Sequence, residues 1–488
     1  MLAKKQTARV LGFVSKNLHI FILGAAFAAS LLSLLVAYKF GAEKVTNFGL
    51  KAQTYLLGIK NGLVLSTLIL FISLFFSLFF SKYLAIVQTL LSNFYNSLNN
   101  TKRNLLILAL CFVFLFASHA GNIMHGYFNM DDLEIIGLNN SLPFGQSVLI
   151  PHGNDHVFPL FIAEMKVLYS AFGTNEIPYN IIIFVMLALT PFFTYLTFKK
   201  LDFDLPVFFI FLAIFSGAAN WAEMLTGFYI MSVYPQIIFF FSIITWSYLS
   251  WLQAKEIKYL AFFAISLMMA LLVDTSGIWV LPATVLFMIC VRLMNRGNPS
   301  ESKHVAFFRE NRAPIAALIT ITLFFASFMV FTFTAIKPGA FLSALNGETA
   351  QIQNEKSENW RPVPLSANFF SFFTNGVSLS MLAPNSVKIL SHPALIDKVK
   401  KFWTAAEIFI LILNVLLFWF VYKNSSIRGR IFVVFLLLGM FVTISEVIIA
   451  RPDHSDIPDF DYRYAGASYY FYSIFVALSA AVILRTKE

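Results

Sequence analysis

The sequence has little charge and almost no cysteine. Only 12% of its 488 residues are charged, and its two cysteines are Cys111 and Cys290. A soluble domain of this length needs about twice that share of charge, so a large water-soluble protein is excluded. Both cysteines fall inside apolar runs, which excludes a disulfide in an outer loop. Hydrophobic residues make up 58% of the chain instead, and 57 of them are Phe.

Apolar runs of roughly 17 to 25 residues, long enough to cross a bilayer, recur along nearly the whole chain. A barrel would show short alternating strands, so we expect helices. The sequence predicts an all-α polytopic membrane protein with about twelve transmembrane helices. The predicted spans are 18–38, 61–81, 104–120, 178–198, 205–220, 230–251, 259–274, 276–293, 314–335, 403–422, 430–449 and 467–485.

Charge predicts the orientation of these spans. With both termini cytoplasmic, 21 of the 35 Lys and Arg residues fall on short inner segments, as the positive-inside rule requires. The same orientation leaves 19 of the 25 carboxylates outside or at the outer face, so we expect the working surface to be extracytoplasmic. The net charge of +10 needs no nucleic-acid partner, because inner basic residues can face anionic membrane lipids.

The spans divide the chain into four segments. Residues 1–103 form an accessory hairpin and an amphipathic inner segment; the first run is too long for a signal peptide and lacks a cleavage site. Residues 104–335 form the expected core, with a first outer loop at 121–177. Residues 336–402 form a large extracytoplasmic loop suited to substrate selection. Residues 403–488 complete the membrane part, with an outer loop at 450–466.

The stretch 130–159 is unusually polar for this chain. Asp131 and Asp132 follow an expected membrane exit, where they are either solvated surface or a site that uses negative charge. About twenty residues later comes Asn154-Asp155-His156-Val157-Phe158-Pro159, which opens a segment with helical apolar spacing. This segment is a candidate for a helix along the membrane interface.

These two motifs, in this order, resemble the GT-C superfamily of membrane glycosyltransferases. Protein O-mannosyltransferases, lipid A aminoarabinose transferases and many bacterial polyprenyl-phosphate-sugar-dependent enzymes share the plan. The resemblance covers roughly residues 104–485. It implies a GT-C-like helical bundle in a bacterial inner membrane, with extracytoplasmic loops forming the active site.

The resemblance also implies roles for residues. The first acid of the pair is the general base in the family, which points to Asp131, although Asp132 is an alternative base or a hydrogen-bonding neighbour. The two carboxylates would titrate as a pair. Asn154, Asp155 and His156 match the element that orients acceptor or donor phosphate.

Several residues, most of them cations, are candidates for binding the donor phosphate. Arg463 and Tyr464 resemble the family's lipid-phosphate position, although an arginine at a helix mouth is often an interfacial anchor. Lys337 and Arg361 lie in the large outer loop and are further candidates, with contact to the membrane surface as the alternative. Two acids near outer helix ends, Asp274 and Glu446, face either the site or water.

Metal dependence stays open from the sequence. Some relatives bind a divalent ion such as Mg²⁺ or Mn²⁺, for which Asp131, Asp132 and Asp155 offer oxygen ligands, whereas others need no metal. A zinc site at His152 and His156 lacks the glutamate that a zincin places directly after its first histidine.

The sequence therefore predicts an inverting glycosyltransferase. It would move a sugar from a polyprenyl-phosphate donor to a cell-envelope acceptor, which is O-antigen, lipid A, another glycan or a protein. A flippase or transporter for a lipid-linked sugar would show internal repeats and mid-membrane charge. An O-antigen ligase or polymerase would depend on basic and histidine residues in its outer loops, and a scaffold protein would carry the polar loop only as solvated surface.

Overall fold

The computed structural model describes residues 93–124, 136–137, 142–149, 158–218, 221, 224–225, 233–294, 311–332, 372–379, 393–450 and 465–485, and single positions 31, 67 and 71. Helices dominate this part of the chain, and none of its residues forms a β-strand. The expectation of an all-α architecture is confirmed for these residues.

Twelve α-helices of six residues or more have bounds within the described residues. They are α1 (Asn100–Met124), α2 (Phe144–Leu149), α3 (Pro159–Phe172), α4 (Ile177–Lys200), α5 (Leu205–Ser216), α6 (Val233–Ala254), α7 (Ile257–Val273), α8 (Val280–Met294), α9 (Arg312–Phe331), α10 (Pro393–Asn424), α11 (Ile427–Ala450) and α12 (Gly466–Arg485). A 3₁₀ turn (Thr275–Trp279) precedes α8, and a π-helical segment occupies Phe372–Leu379.

Seven helices among the described residues are long and apolar enough to cross a membrane. They comprise Asn100–Gly121, Ile177–Lys200, Val233–Ala254, Thr275–Met294, Arg312–Phe331, Ile427–Ile448 and Gly466–Ile483. Leu205–Ser216, Ile257–Val273 and Ile408–Asn424 are shorter apolar helices. The chain therefore has the architecture of a polytopic membrane protein.

Ten of the predicted spans coincide with helices, whereas 18–38 and 61–81 lie almost wholly outside the described residues. Most boundaries of these helices lie within four residues of the predicted ones, and the largest difference is at the start of α10. Helix α10 begins at Pro393, ten residues before the span predicted from 403, so the expected loop 336–402 includes the first turns of a helix. The π-helical segment also falls within that loop.

Local signals in the sequence account for several helix ends. The Asn99 side chain accepts a hydrogen bond from the Lys102 backbone N–H at 2.9 Å, which caps the start of α1. Helix α3 starts with Pro159 at a position where no N–H is needed. It stops at Gly173, whose φ of +57° favours glycine.

Helix α12 is the buried centre of the bundle. Almost all of its described side chains are buried, and it packs against α5 and α11. Its polar side chains bond to neighbouring helices: Tyr470 to Thr194 at 2.9 Å and Ser468 to Thr443 at 2.8 Å. Such bonds satisfy polar groups that the bilayer would leave without partners.

Helices α9 and α10 form part of the outer surface of the bundle. Their exposed side chains include Ile319, Leu323, Phe324, Phe409, Leu416 and Trp419. Apolar faces of this extent are unfavourable in water and favourable against lipid.

Basic residues gather at one end of the bundle. Helices α1, α5, α7, α9 and α11 begin there, and α4, α6, α8 and α10 finish there. Contacts join these helix ends: Lys199 to Asn100 at 3.4 Å, Lys200 to Gln253 at 2.7 Å and Arg428 to Asp202 at 3.6 Å. We call this the basic end, and the opposite one the distal end.

Candidate functional site

The predicted site residues all lie outside the described part of the chain. This holds for Asp131, Asp132, Asn154, Asp155, His156, Lys337, Arg361, Arg463 and Tyr464, and also for His152. The structure does describe the helices that flank three of these segments in the sequence. Met124 ends α1, Phe158 directly precedes α3, and Ala465 directly precedes α12. All three of these residues belong to the distal end.

The last turns of α1 are held against the end of α5. His119 is 4% exposed, and its Nε2 lies 2.8 Å from the carbonyl oxygen of Ser216. Because a carbonyl oxygen can only accept, Nε2 carries the proton. The other ring nitrogen, Nδ1, is buried and has no hydrogen-bond partner among the described residues. The bond places the last turns of α1 beside the final residue of α5.

An aromatic contact fixes the start of α12 to the same place. Trp221 is fully buried and donates its indole N–H to the carbonyl oxygen of Phe215 at 2.6 Å. The Tyr469 ring stands edge-on to Trp221, with ring centroids 6.3 Å apart. The Tyr469 hydroxyl donates to the carbonyl oxygen of Ile214 at 3.1 Å. The first turn of α12 is therefore bound to the end of α5.

Helix α3 docks on the distal end through one apolar face. Phe161, Ile162 and Met165 are fully buried on this face, with the spacing of an amphipathic helix. Beside them the Gln236 side-chain amide donates to a Glu164 carboxylate oxygen at 2.9 Å. Gln236 lies in the first turn of α6, so this bond ties α3 to the bundle.

Two further bonds hold the chain around α3. The Lys166 ammonium donates to the carbonyl oxygen of Leu142 at 2.7 Å, just before α2. The Asn180 side chain donates to the carbonyl oxygen of Ile123 at 3.4 Å, which joins the start of α4 to the end of α1. The expected first outer loop, 121–177, thus contains two docked helices.

Asp274 faces the turn between α7 and α8. It is 1% exposed, and its carboxylate accepts hydrogen bonds from the hydroxyls of Thr275 and Ser276. Its backbone carbonyl accepts from the N–H of Gly277 at 2.8 Å. These bonds assign Asp274 a part in shaping the turn. Glu446 is partly buried in the last turns of α11.

Sequence reasoning missed the polar contacts beneath the predicted loops. His119, Glu164 and Gln236 were each on segments of interest, but none was singled out. A histidine and a carboxylate on otherwise apolar faces of helices were the available signal, because burial in lipid or protein requires partners for them. No group of three His, Cys, Asp or Glu able to hold a metal occurs among the described side chains.

Comparison with known proteins gives no match: no family model fits the sequence, and no curated protein and no solved structure is significantly similar.

Proposed function

We propose that the protein is an integral membrane glycosyltransferase of GT-C-like plan. It transfers a sugar from a polyprenyl-phosphate donor to a cell-envelope acceptor. The reaction takes place at the distal end of the bundle, on the extracytoplasmic face of a bacterial inner membrane. The proposal includes twelve membrane crossings and cytoplasmic termini.

The observation that carries the proposal is the convergence of three helix ends. The end of α1, the start of α3 and the start of α12 are joined through α5 and α6 by bonds of His119, Gln236 and Tyr469. In the sequence, the Asp131-Asp132 pair follows α1, His156 precedes α3 by three residues, and Tyr464 precedes α12 by two. The three motifs thus lie, in the sequence, within eight residues of helix ends that meet at one end of the bundle.

Charge supports the orientation. Lys102, Lys200 and Arg428 belong to the basic end, as do Arg103, Lys199, Lys255, Lys258, Arg292, Arg312, Lys423 and Arg430. Short connections rich in Lys and Arg stay on the cytoplasmic side of a bacterial membrane. The distal end then faces the opposite side.

The proposed chemistry needs a general base and cations that stabilise the charge of the departing phosphate. The donor already carries a good leaving group, so the main requirement is a more nucleophilic acceptor hydroxyl, supplied by Asp131 with Asp132 beside it. Arg463, Lys337 and Arg361 would stabilise the charge on the departing phosphate. Asp155 and His156 would orient acceptor or phosphate, and a single displacement inverts the anomeric carbon.

A transfer assay tests the proposal. Purified protein is given a panel of radiolabelled polyprenyl-phosphate sugars and cell-envelope acceptors, and transfer by the wild type is compared with Asp131→Asn. General-base removal lowers the rate by about 10²- to 10⁴-fold. The matched control is Glu256→Gln, which neutralises an exposed carboxylate at the basic end that pairs with Lys258, and it should keep full activity.

Other results would redirect the proposal. Undiminished transfer by Asp131→Asn moves the base role to Asp132. Loss of transfer on chelation, restored by Mg²⁺ or Mn²⁺, adds a divalent ion. If no donor supports transfer and the protein translocates the carrier in liposomes, the protein is a flippase and not a glycosyltransferase.

A further inference from the structure

A polar cavity lies at the basic end, far from the proposed reaction site. Its volume is about 450 Å³, and it sits between the ends of α1, α4 and α6. Its lining residues are Asn104, Leu196, Lys199, Lys200, Asp202, Trp246 and Gln253. A second cavity of about 210 Å³ adjoins it, since Lys200, Asp202 and Gln253 line both.

Positive charge in this cavity exceeds negative charge. The Lys199 ammonium donates to the Asn100 side-chain oxygen at 3.4 Å, and the Lys200 ammonium donates to the Gln253 side-chain oxygen at 2.7 Å. Both acceptors are neutral amides. Asp202 supplies the one carboxylate among the described lining residues, and it pairs with Arg428 at 3.6 Å. Neither lysine is therefore paired with a carboxylate among the described residues.

An unsatisfied acceptor lies in the same wall. The Asn104 side-chain oxygen is buried, and no described residue donates a hydrogen bond to it. Leaving such an oxygen without a donor is costly. Two cations beside an acceptor match a ligand that carries both an anion and a hydroxyl group.

The cavity also has an aromatic wall, since Trp246 lines it. The Trp246 ring contacts Phe193, Tyr259 and Phe262, with ring centroids 5.3 to 6.0 Å apart. Tryptophan and tyrosine are enriched where a transmembrane helix meets the headgroup layer. Lys199 and Lys200 stand in the last turn of α4, a helix long and apolar enough to cross a membrane, and such positions lie near the headgroup layer.

A lysine in the last turn of a transmembrane helix often serves only to anchor the helix at the headgroups. Lys423 at the end of α10 fits that description, because its ammonium lies 5.1 Å from the centre of the Trp419 ring and lines none of the cavities described here. Lys199 and Lys200 differ from it in lining a cavity together with a buried acceptor.

From these observations we infer that the cavity binds the headgroup of an anionic phospholipid that carries free hydroxyls, such as phosphatidylglycerol. The phosphodiester accepts hydrogen bonds from Lys199 and Lys200. A headgroup hydroxyl donates to the Asn104 oxygen. Bound lipid would join α1, α4 and α6 at the membrane surface.

Native mass spectrometry of the full-length protein in detergent tests this inference. Phosphatidylglycerol and phosphatidylcholine are titrated separately, and the affinity for each is measured. We expect phosphatidylglycerol to bind and phosphatidylcholine to bind at least about tenfold more weakly, because phosphatidylcholine lacks the hydroxyl that donates to Asn104 and carries a quaternary ammonium that the two lysines repel.

Two variants remove the site in different ways. Lys199→Gln/Lys200→Gln takes away both cations, and Asn104→Leu replaces the acceptor of the headgroup hydroxyl by a side chain of similar size that cannot accept a hydrogen bond. The double-lysine variant should weaken phosphatidylglycerol binding about tenfold or more, and the Asn104 variant should weaken it by about three- to tenfold, the cost of one neutral hydrogen bond. The matched control Lys255→Gln/Lys423→Gln also removes two cations from the basic end, neither of which lines the cavity, and it should change the affinity less than about twofold.

The remaining outcomes decide against the inference. Equal weakening in the control shows only general attraction of anionic lipid to basic charge. Unchanged binding in Asn104→Leu also overturns it, and this variant decides alone if the double-lysine variant does not fold. Displacement of the lipid by millimolar inorganic phosphate would identify a site for a free anion instead.

Discussion

The Nε2 atom of His119 lies 2.8 Å from the carbonyl oxygen of Ser216, ninety-seven positions away in the sequence. The bond joins the last turns of α1 to the final residue of α5, and both groups are buried. It thereby fixes the helix that leads into the Asp131-Asp132 segment. The distal end is built from contacts of this kind between different helices.

Replacing His119 by Phe should destabilise the protein by about 1 to 3 kcal/mol, because the Ser216 carbonyl loses its donor inside the bundle. Thermal unfolding in detergent measures the effect. The control is Ser118→Ala, one residue earlier, whose hydroxyl bonds to Phe114 on the exposed side of the same helix. Equal stability of His119→Phe and Ser118→Ala would contradict the assigned bond.

The contact between Glu164 and Gln236 should hold α3 in place. A double-mutant cycle with Glu164→Ala and Gln236→Ala should give a coupling energy of about 1 to 3 kcal/mol, since the hydrogen bond involves a carboxylate. The unfolding free energies of the four proteins supply the cycle. Strictly additive single effects would show that the two side chains do not interact.

Gly277→Ala should prevent correct packing of the turn between α7 and α8. A Cβ atom there would lie only 2.2 Å from the backbone oxygen of Ala270, and backbone cannot move aside as a flexible side chain can. We expect a sharp fall in the yield of monodisperse protein on size-exclusion chromatography. Gly121→Ala is the control, because its Cβ would meet nothing within 4 Å. A normal yield for Gly277→Ala would contradict this geometry.

Tyr472→Phe should weaken a buried ring of three polar side chains. The Tyr472 hydroxyl lies 2.7 Å from the Asn414 side-chain oxygen and 2.6 Å from the Ser378 hydroxyl, and the Asn414 amide donates to Ser378 at 2.8 Å. Removing the hydroxyl leaves the Asn414 oxygen without this donor, at a cost of about 1 kcal/mol or more.

The thermal midpoint of Tyr472→Phe tests this cost. Tyr422→Phe removes a hydroxyl from an exposed ring near the basic end and should leave the midpoint unchanged. Identical midpoints for the two variants would mean that the ring of bonds adds nothing to stability.

The positions of the helices were predictable from the sequence because a bilayer imposes a length and an apolar composition on every crossing. Helix α4 matches the span expected at 178–198 within two residues at either end. The start of α10 at Pro393 was not predictable in this way, because its first turns are polar. Helix α3 was expected from the helical spacing of its apolar residues, and Pro159 marks its start.

By itself the sequence determined the helical architecture, the gathering of basic residues and the polar motifs that lead to the proposed function. Only the tertiary structure decided which helix ends meet. His119, Glu164 and Lys200 acquire their roles from partners on other helices, 97, 72 and 53 positions away. No local pattern encodes such pairings. Hydropathy reports how strongly a side chain prefers an apolar environment to water, and it does not report which group the side chain contacts.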